Sequence, residues 1–89
     1  MKAIFPVIFT QTDDIVLVEV PDLEILTEGA DMADAIYMAR DAIGLKGNTI
    51  QGEGEEMPTP SKFNEIESLK GVFADDGRGI VSLVDVDST

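Results

Sequence analysis

The first half of the chain changes its hydrophobic period, and this change limits the fold more than any other feature of the sequence. Residues 3–10 (AIFPVIFT) and 15–20 (IVLVEV) are dense in β-branched and aromatic side chains, which favours strands. The turn-forming residues 11–14 lie between them and predict an antiparallel hairpin. Pro21–Asp22 ends the second strand, and residues 25–27 can form a short third one. The chain is therefore predicted to begin with a sheet.

After these strands the apolar residues take helical spacing. Asp31 is the predicted N-cap, and Asp34 adds a carboxylate to the first turn, where the helix dipole favours negative charge. The apolar positions recur every three or four residues: Met32, Ala35, Ile36, Ala39, Ala42 and Ile43. The helix is predicted to end at Gly44 or to continue to about Gln51. A longer helix would contain interior glycines, each costing about 1 kcal/mol relative to Ala, so its second half is predicted to be frayed or kinked.

The rest of the sequence predicts a loop at 52–61, a short helical turn within 62–70 and a last strand at 80–86. The order βββαβ predicts one α+β domain over residues 1–89: an antiparallel three-stranded meander, one packed helix and a returning last strand. Pro6 has no N–H to donate, which predicts an edge position or a bulge. The sheet face away from the helix is predicted to need a cover, either another copy or a different partner.

Composition excludes several classes of function. The chain has no Cys and no His, which removes disulfides, Cys/His zinc sites, thiol nucleophiles and the commonest general base. Its 18 acidic and 6 basic residues give a net charge of -12, which repels phosphate backbones and favours a basic partner. We therefore expect no direct binding to nucleic acid. With no stretch near the roughly 18 apolar residues of a membrane span and no secretory cleavage pattern, we expect a cytoplasmic protein without membrane contact.

Five short motifs occur in order along the chain: Pro21-Asp22-Leu23, Thr27-Glu28-Gly29, Asp31-Met32 followed by Ala35, Ala39-Arg40-Asp41-Ala42, and GEEMPTPS at 54–61. Together they resemble the HicB-type antitoxin family. The resemblance covers nearly the whole chain and implies a partial ribonuclease H-like fold. Two features depart from the family pattern, since Glu24 stands where the family usually has Pro-Gly and the second half of the helix contains glycines. The usual C-terminal DNA-binding region is absent, so the chain is either a fragment or a stand-alone member without operator binding.

The resemblance implies an antitoxin. Such a protein would bind a small basic HicA-type toxin, an mRNA-cleaving ribonuclease with a catalytic histidine, and block its active site or RNA-binding surface. It would act as a homo-oligomer, either a dimer or a tetramer, and it would carry no catalytic residue, metal ligand or cofactor. The residues predicted to contact the toxin combine exposure, negative charge and a rigid scaffold: Pro21, Asp22, Leu23, Glu24, Glu28, Asp31 and Asp34.

Two other classes of function stay open. A carboxylate cluster could bind two metal ions for phosphodiester cleavage, with Asp13, Asp14, Asp22, Asp85 and Asp87 as ligands. Each of these residues also lies where aspartate commonly marks a turn or a strand end. The second alternative is a self-associating module without a toxin, because sheets pair readily at exposed edges. A small basic protein encoded in the neighbouring reading frame would favour the antitoxin.

Overall fold

The computed structural model describes residues 2–87. Met1, Ser88 and Thr89, which the predicted domain of residues 1–89 includes, lie outside the described residues. The elements are β1 (Lys2–Gln11), β2 (Val16–Val20), β3 (Ile25–Gly29), α1 (Met32–Gly52) and β4 (Arg78–Asp87). Short 3-10 turns cover Pro21–Leu23, Phe63–Glu65 and Ser68–Lys70. Four antiparallel strands and one helix confirm the predicted α+β class and the order βββαβ.

The strand β1 lies in the middle of the sheet, whose order is β3-β2-β1-β4 with antiparallel neighbours throughout. Gln11, the last residue of β1, pairs with Val16 on one side and with Arg78 on the other. Val16 pairs in turn with Gly29, the last residue of β3. At this end of the sheet, β1 and β3 therefore end at the same level at which β2 and β4 begin. Three connections emerge together there: the β1–β2 hairpin, the passage from β3 to α1 and the turn before β4.

Pro6 does not mark an edge or a bulge, contrary to the prediction. It is buried in the central strand, opposite Leu83 of β4. In the hairpin the N–H of Thr12 donates to the carbonyl of Ile15. Because backbone groups alternate in direction along a strand, the N–H and C=O groups of the even-numbered residues of β1 point towards β2. No residue of β2 stands opposite Pro6, because β2 ends at Val20 and the chain turns away. The missing N–H therefore costs the sheet no ladder hydrogen bond.

The helix α1 packs across one face of the sheet and forms the core with it. Every second residue of the strands points to this face, and Ala35 and Ala39 are small enough for the helix to approach closely. Each buried Val or Phe stabilises the fold by about 1.5–3 kcal/mol relative to an exposed one. The core consists of Phe5, Val7, Phe9, Val16, Val18, Val20, Leu23, Ala35, Ala39, Ile43, Val84 and Val86.

The other face of the sheet is covered in part by the chain itself. Ile8 is buried there, although its side chain points away from α1. Residues 62–74 lie against this face, and the backbone N–H of Val72 donates to the carboxylate of Glu19 at 2.9 Å. The predicted need for an external cover is therefore wrong for the centre of the face. At its margins three apolar side chains stay about half exposed: Ile4, Leu26 and Leu83.

The helix begins as predicted and ends at the later of the two predicted positions. The N–H of Asp34 donates to Oδ1 of Asp31 at 2.8 Å, which confirms the N-cap. The helix then runs without a break to Gly52, so fraying of its second half is not observed. Gly47 is buried and extends the buried stripe of α1 by one more turn, so packing against the sheet outweighs the low helix propensity of glycine. Within residues 2–87 no helix is long and apolar enough to cross a membrane.

Two glycines of opposite environment allow a test of the packing between α1 and the sheet. A Cβ on Gly29 would lie 2.3 Å from the backbone nitrogen of Ala35, whereas a Cβ on Gly44 would meet no atom within 4 Å. We expect Gly29→Ala to lower the free energy of unfolding by about 1–3 kcal/mol, because the start of the helix must move away from β3. Gly44→Ala should raise it by about 0.5–1 kcal/mol. Urea unfolding followed by circular dichroism measures both, and equal stability of G29A and wild type would contradict the close packing.

Candidate functional site

Seven carboxylates gather at the end of the sheet where the four strands stop. They lie on the three connections at that end, near the end of β3 and in the first turn of α1. All seven residues are exposed: Asp13, Asp14, Glu28, Asp31, Asp34, Asp75 and Asp76. We call this surface the acidic end. Among the described residues at this end, the one basic residue is Arg78, at the start of β4. Seven acidic residues and one basic residue give a local charge of -6. Half of the net charge of -12 is concentrated here.

The hairpin between β1 and β2 presents Asp13 and Asp14 at its tip. Thr12 holds the turn: its hydroxyl donates to the carbonyl of Ile15 at 2.8 Å, and its Oγ1 accepts from the N–H of Ile15 at 3.0 Å. The backbone N–H of Thr12 also donates to the Ile15 carbonyl, at 2.9 Å. Because Thr12 supplies the local hydrogen bonds of this turn, both carboxylates are left to point into solvent. They are held in place but are available to a partner.

The turn before β4 lies directly against this hairpin. A Cβ on Gly77 would come within 2.1 Å of the carbonyl oxygen of Gln11, so only glycine permits the approach. The approach brings Asp76 beside the hairpin tip. Together with Asp13, Asp14 and Arg78 it lines an open depression of about 530 Å³. Carboxylates from two distant parts of the sequence thus share one surface.

Glu28, Asp31 and Asp34 form the part of the acidic end that the sequence predicted. Asp31 caps α1, and Oδ2 of Asp34 accepts from the N–H of Ala30 at 2.8 Å. Both carboxylates therefore have a structural task at the helix N-terminus, where the helix dipole also favours their negative charge. Glu28 is exposed on the edge strand β3.

The other four predicted contact residues lie at the opposite end of β2. The side chain of Leu23 is only 3% exposed and belongs to the core, so the exposure expected of a contact residue is not observed for it. Asp22 is half-buried and ties down the loop after α1: it accepts from the N–H of Ser61 at 2.7 Å and from the hydroxyl of Ser61 at 2.6 Å. Pro21 is half-buried in the 3-10 turn, and Glu24 is exposed at a φ of 54°. The predicted surface is thus divided between two ends of the molecule.

The five aspartates considered for a metal-dependent nuclease are also separated. Asp13 and Asp14 lie at the acidic end, Asp22 is bonded to Ser61, and the remaining two lie near the far end of β4. Among residues 2–87 no group of three or more His, Cys, Asp or Glu side chains is arranged to hold a metal ion.

Arg40 binds the far end of β4 to the helix. Its Nε–H donates to the backbone carbonyl of Asp85 and its Nη2 to Oδ1 of the same residue, both at 2.9 Å. The side-chain hydrogen bond from Arg40 holds the pKa of the Asp85 carboxyl below its ordinary value, and a backbone hydrogen bond at Asp85 and the positive charge of Arg40 act in the same direction. Arg40 and Asp85 thus form a surface salt bridge.

The acidic end is larger than sequence reasoning predicted. Asp13, Asp14, Asp75 and Asp76 each carried an ordinary turn signal, and nothing in the sequence linked the two pairs. The shared position depends on the pairing of Gln11 with Arg78, residues at opposite ends of the chain. The observed β1 and β4 have ten residues each and pair along their whole length, whereas the predicted strands 3–10 and 80–86 differ in length, so strand length did not predict this register.

The fold is similar to that of chains in two solved structures. One is the "Toxin-Antitoxin complex from Streptococcus pneumoniae", with a TM-score of 0.84 and 23% sequence identity over 98% of this chain and 70% of that chain. The other is the "HicA3 and HicB3 toxin-antitoxin complex", with a TM-score of 0.72 and 20% identity over 97% of this chain and 100% of that chain. At these identities the likeness establishes a shared fold. No family model matches the sequence, and no curated protein matches it.

The structure predicts that Asp22 acts in stability and that Glu24 does not. Asp22→Ala should lower the free energy of unfolding by about 1–3 kcal/mol, because it leaves the half-buried Ser61 without its acceptor. Glu24→Ala, in the same corner but exposed, should change it by less than about 0.5 kcal/mol. Urea unfolding of the two variants compares them directly, and an unchanged midpoint for D22A would show that the tie to Ser61 contributes nothing.

The contact between Arg40 and Asp85 predicts a specific pH dependence. Arg40→Gln should raise the pKa of Asp85 towards its ordinary value, which a carbon-13 NMR titration of the carboxyl group can follow. Because the folded-state pKa is depressed, the stabilisation by this pair is present at neutral pH and is lost as the pH falls through that pKa. Lys46→Gln removes the same charge from an exposed site on α1 and should leave the titration of Asp85 unchanged. A shift of equal size in both variants would contradict a local cause.

Proposed function

We propose that the chain is an antitoxin domain that binds and occludes a small basic mRNA-cleaving toxin of the HicA type. The observation that carries this proposal is the acidic end, a surface of local charge -6 held rigidly at one end of the sheet. The likeness in fold to chains of two toxin–antitoxin complexes supports it.

The composition supports an antitoxin over a toxin role in such a pair. A ribonuclease that binds mRNA needs a cationic surface to neutralise phosphates, and a HicA-type toxin also needs its catalytic histidine. This chain has no histidine and a net charge of -12. It therefore lacks both requirements of the toxin and has the complementary charge of its inhibitor.

The acidic end suits competition with RNA. The exposed carboxylates lie on turns that are held by the hydrogen bonds of Thr12 in the hairpin and by the close approach at Gly77, and they would present fixed negative charges to a cationic groove. Fixed charges lose less conformational freedom on binding than mobile ones, and the long-range attraction speeds the encounter. The antitoxin would thus occupy the toxin surface that otherwise holds RNA phosphates.

The proposed antitoxin has three further properties. The chain acts without catalysis, and the separation of Asp13, Asp22 and Asp85 supports this over a metal-dependent nuclease. It works in the cytoplasm, where its toxin would meet mRNA, and does not itself bind nucleic acid or membrane. It forms a homo-oligomer, either a dimer or a tetramer.

Two matched triple variants test the position of the toxin contact. Asp13, Asp14 and Asp76 are replaced by Lys in the first, and Glu53, Glu55 and Glu56, exposed in the loop after α1, in the second. Both change the net charge equally, and neither removes the caps of the helix. We expect the first to weaken binding to a small basic toxin of the HicA type by about tenfold or more, equivalent to about 1.4 kcal/mol, and to restore RNA cleavage. The second should change the dissociation constant by less than about threefold.

Titration calorimetry and an RNA-cleavage assay provide the measurements. Equal weakening by the two triple variants would show that only net charge matters, which contradicts a contact at the acidic end. Failure of the wild-type chain to bind the toxin and suppress its cleavage would contradict the antitoxin function itself.

A further inference from the structure

The long edge strand β4 has hydrogen-bonding groups directed away from the sheet. The carbonyl of Asp85 accepts from Arg40, so the backbone of Asp85 faces outward. The N–H and C=O groups of a strand residue point to the same side and alternate along the strand, so Gly79, Val81 and Leu83 face outward as well. No hydrogen bond within residues 2–87 reaches these three residues. Their donors and acceptors are free to pair with another strand.

The two edges of the sheet differ in how they are protected. The edge strand β3 has five residues, begins directly after Glu24 and carries Glu28, and such charges and short length discourage pairing. The edge strand β4 has ten residues, and its segment 79–84 (GIVSLV) carries no charge. Leu83 is 51% exposed. An unprotected edge of this kind is a site for strand addition.

The sequence of this edge is complementary to itself. When two copies of β4 run antiparallel about a two-fold axis at Val81, Leu83 of each copy faces Gly79 of the other, and Ile80 faces Ser82. Leu83 and Ile80 thus each meet a small residue, and Val81 meets Val81 of the other copy on the axis. The register pairs only Gly79, Val81 and Leu83 through their backbones, which gives about six hydrogen bonds and leaves the bond between Arg40 and Asp85 intact.

Charge also favours a second copy at this position. Most of the molecule is acidic, and two chains of net charge -12 repel each other over most of their surfaces. The segment 79–84 has no charged side chain, so two copies that meet along it place no like charges opposite each other within the segment. In the register centred on Val81, the uncharged residues 79–83 pair only with one another, and Arg78 of one copy lies opposite Val84 of the other.

We propose that the chain forms a two-fold dimer by antiparallel pairing of β4 with β4 of a second copy, in the register centred on Val81, to make one continuous sheet of eight strands. The proposal specifies the interface of the homo-oligomer included in the proposed function. It does not depend on the toxin.

A matched pair of lysine substitutions tests the interface. Leu83 and Leu26 lie on the two edge strands, point to the same face of the sheet and are 51% and 54% exposed. Light scattering of the eluting wild-type chain should give twice the mass of one 9.6 kDa chain. We expect Leu83→Lys to raise the dimer dissociation constant at least about tenfold, because two lysines face the opposing edges. Leu26→Lys should leave the constant unchanged.

A cysteine placed on the axis tests the register. The chain has no natural cysteine. In Val81→Cys the two Cα atoms would lie about 5.5 Å apart, within the range of about 4.4–6.8 Å that a disulfide spans. Mild oxidation should therefore give a covalent dimer of V81C and none of the control Leu26→Cys.

The contrary outcomes distinguish failure of the β4 interface from failure of self-association and of the antitoxin function. A wild-type chain that stays monomeric at high concentration would overturn the proposal. An L83K protein that dimerises as well as L26K would place the interface elsewhere and overturn it while leaving self-association standing. Suppression of toxin cleavage is measured separately on the wild-type chain, so failure of the antitoxin function is distinguished from failure of the dimer.

Discussion

The common register of the four strands determines the rest of the structure. Because β1 is paired on both sides, with Gln11 opposite both Val16 and Arg78, one set of hydrogen bonds fixes where every strand stops. The same register sends alternate side chains to α1 and away from it, which defines the core. It also brings three connections to one end of the sheet. A slip of one residue would exchange the two faces of β1 and separate the carboxylates of the acidic end.

Most of the fold could be predicted because its signals are local. The strands follow apolar and β-branched runs, and the N-cap at Asp31 depends on a side chain three residues from its donor. The errors fall where tertiary contacts decide. Pro6 fits a central strand only because β2 ends beside it, and the helix passes Gly44 because Gly47 continues its buried stripe. The acidic end was predicted in part, since joining Asp13 to Asp76 requires the strand register, which the sequence alone did not provide.

The molecule separates its charged and uncharged surfaces. Half of its net charge lies at the acidic end, whereas the segment 79–84 of the exposed edge carries none. Electrostatic attraction mainly sets how fast a charged partner is found, while strand pairing depends on backbone hydrogen bonds and apolar contact. Because the acidic end and the uncharged edge are different surfaces, a basic partner and a second copy could bind at the same time.

The geometry of an antiparallel dimer follows from this separation. The acidic end lies where β4 begins, next to Arg78. Antiparallel pairing sets the start of β4 in one copy against its end in the other, so the two acidic ends would point in opposite directions along the sheet. Their repulsion is then small, because they are separated by more than a Debye length of about 8–10 Å. A dimer built in this way would keep both acidic ends open, so each copy could bind one basic partner.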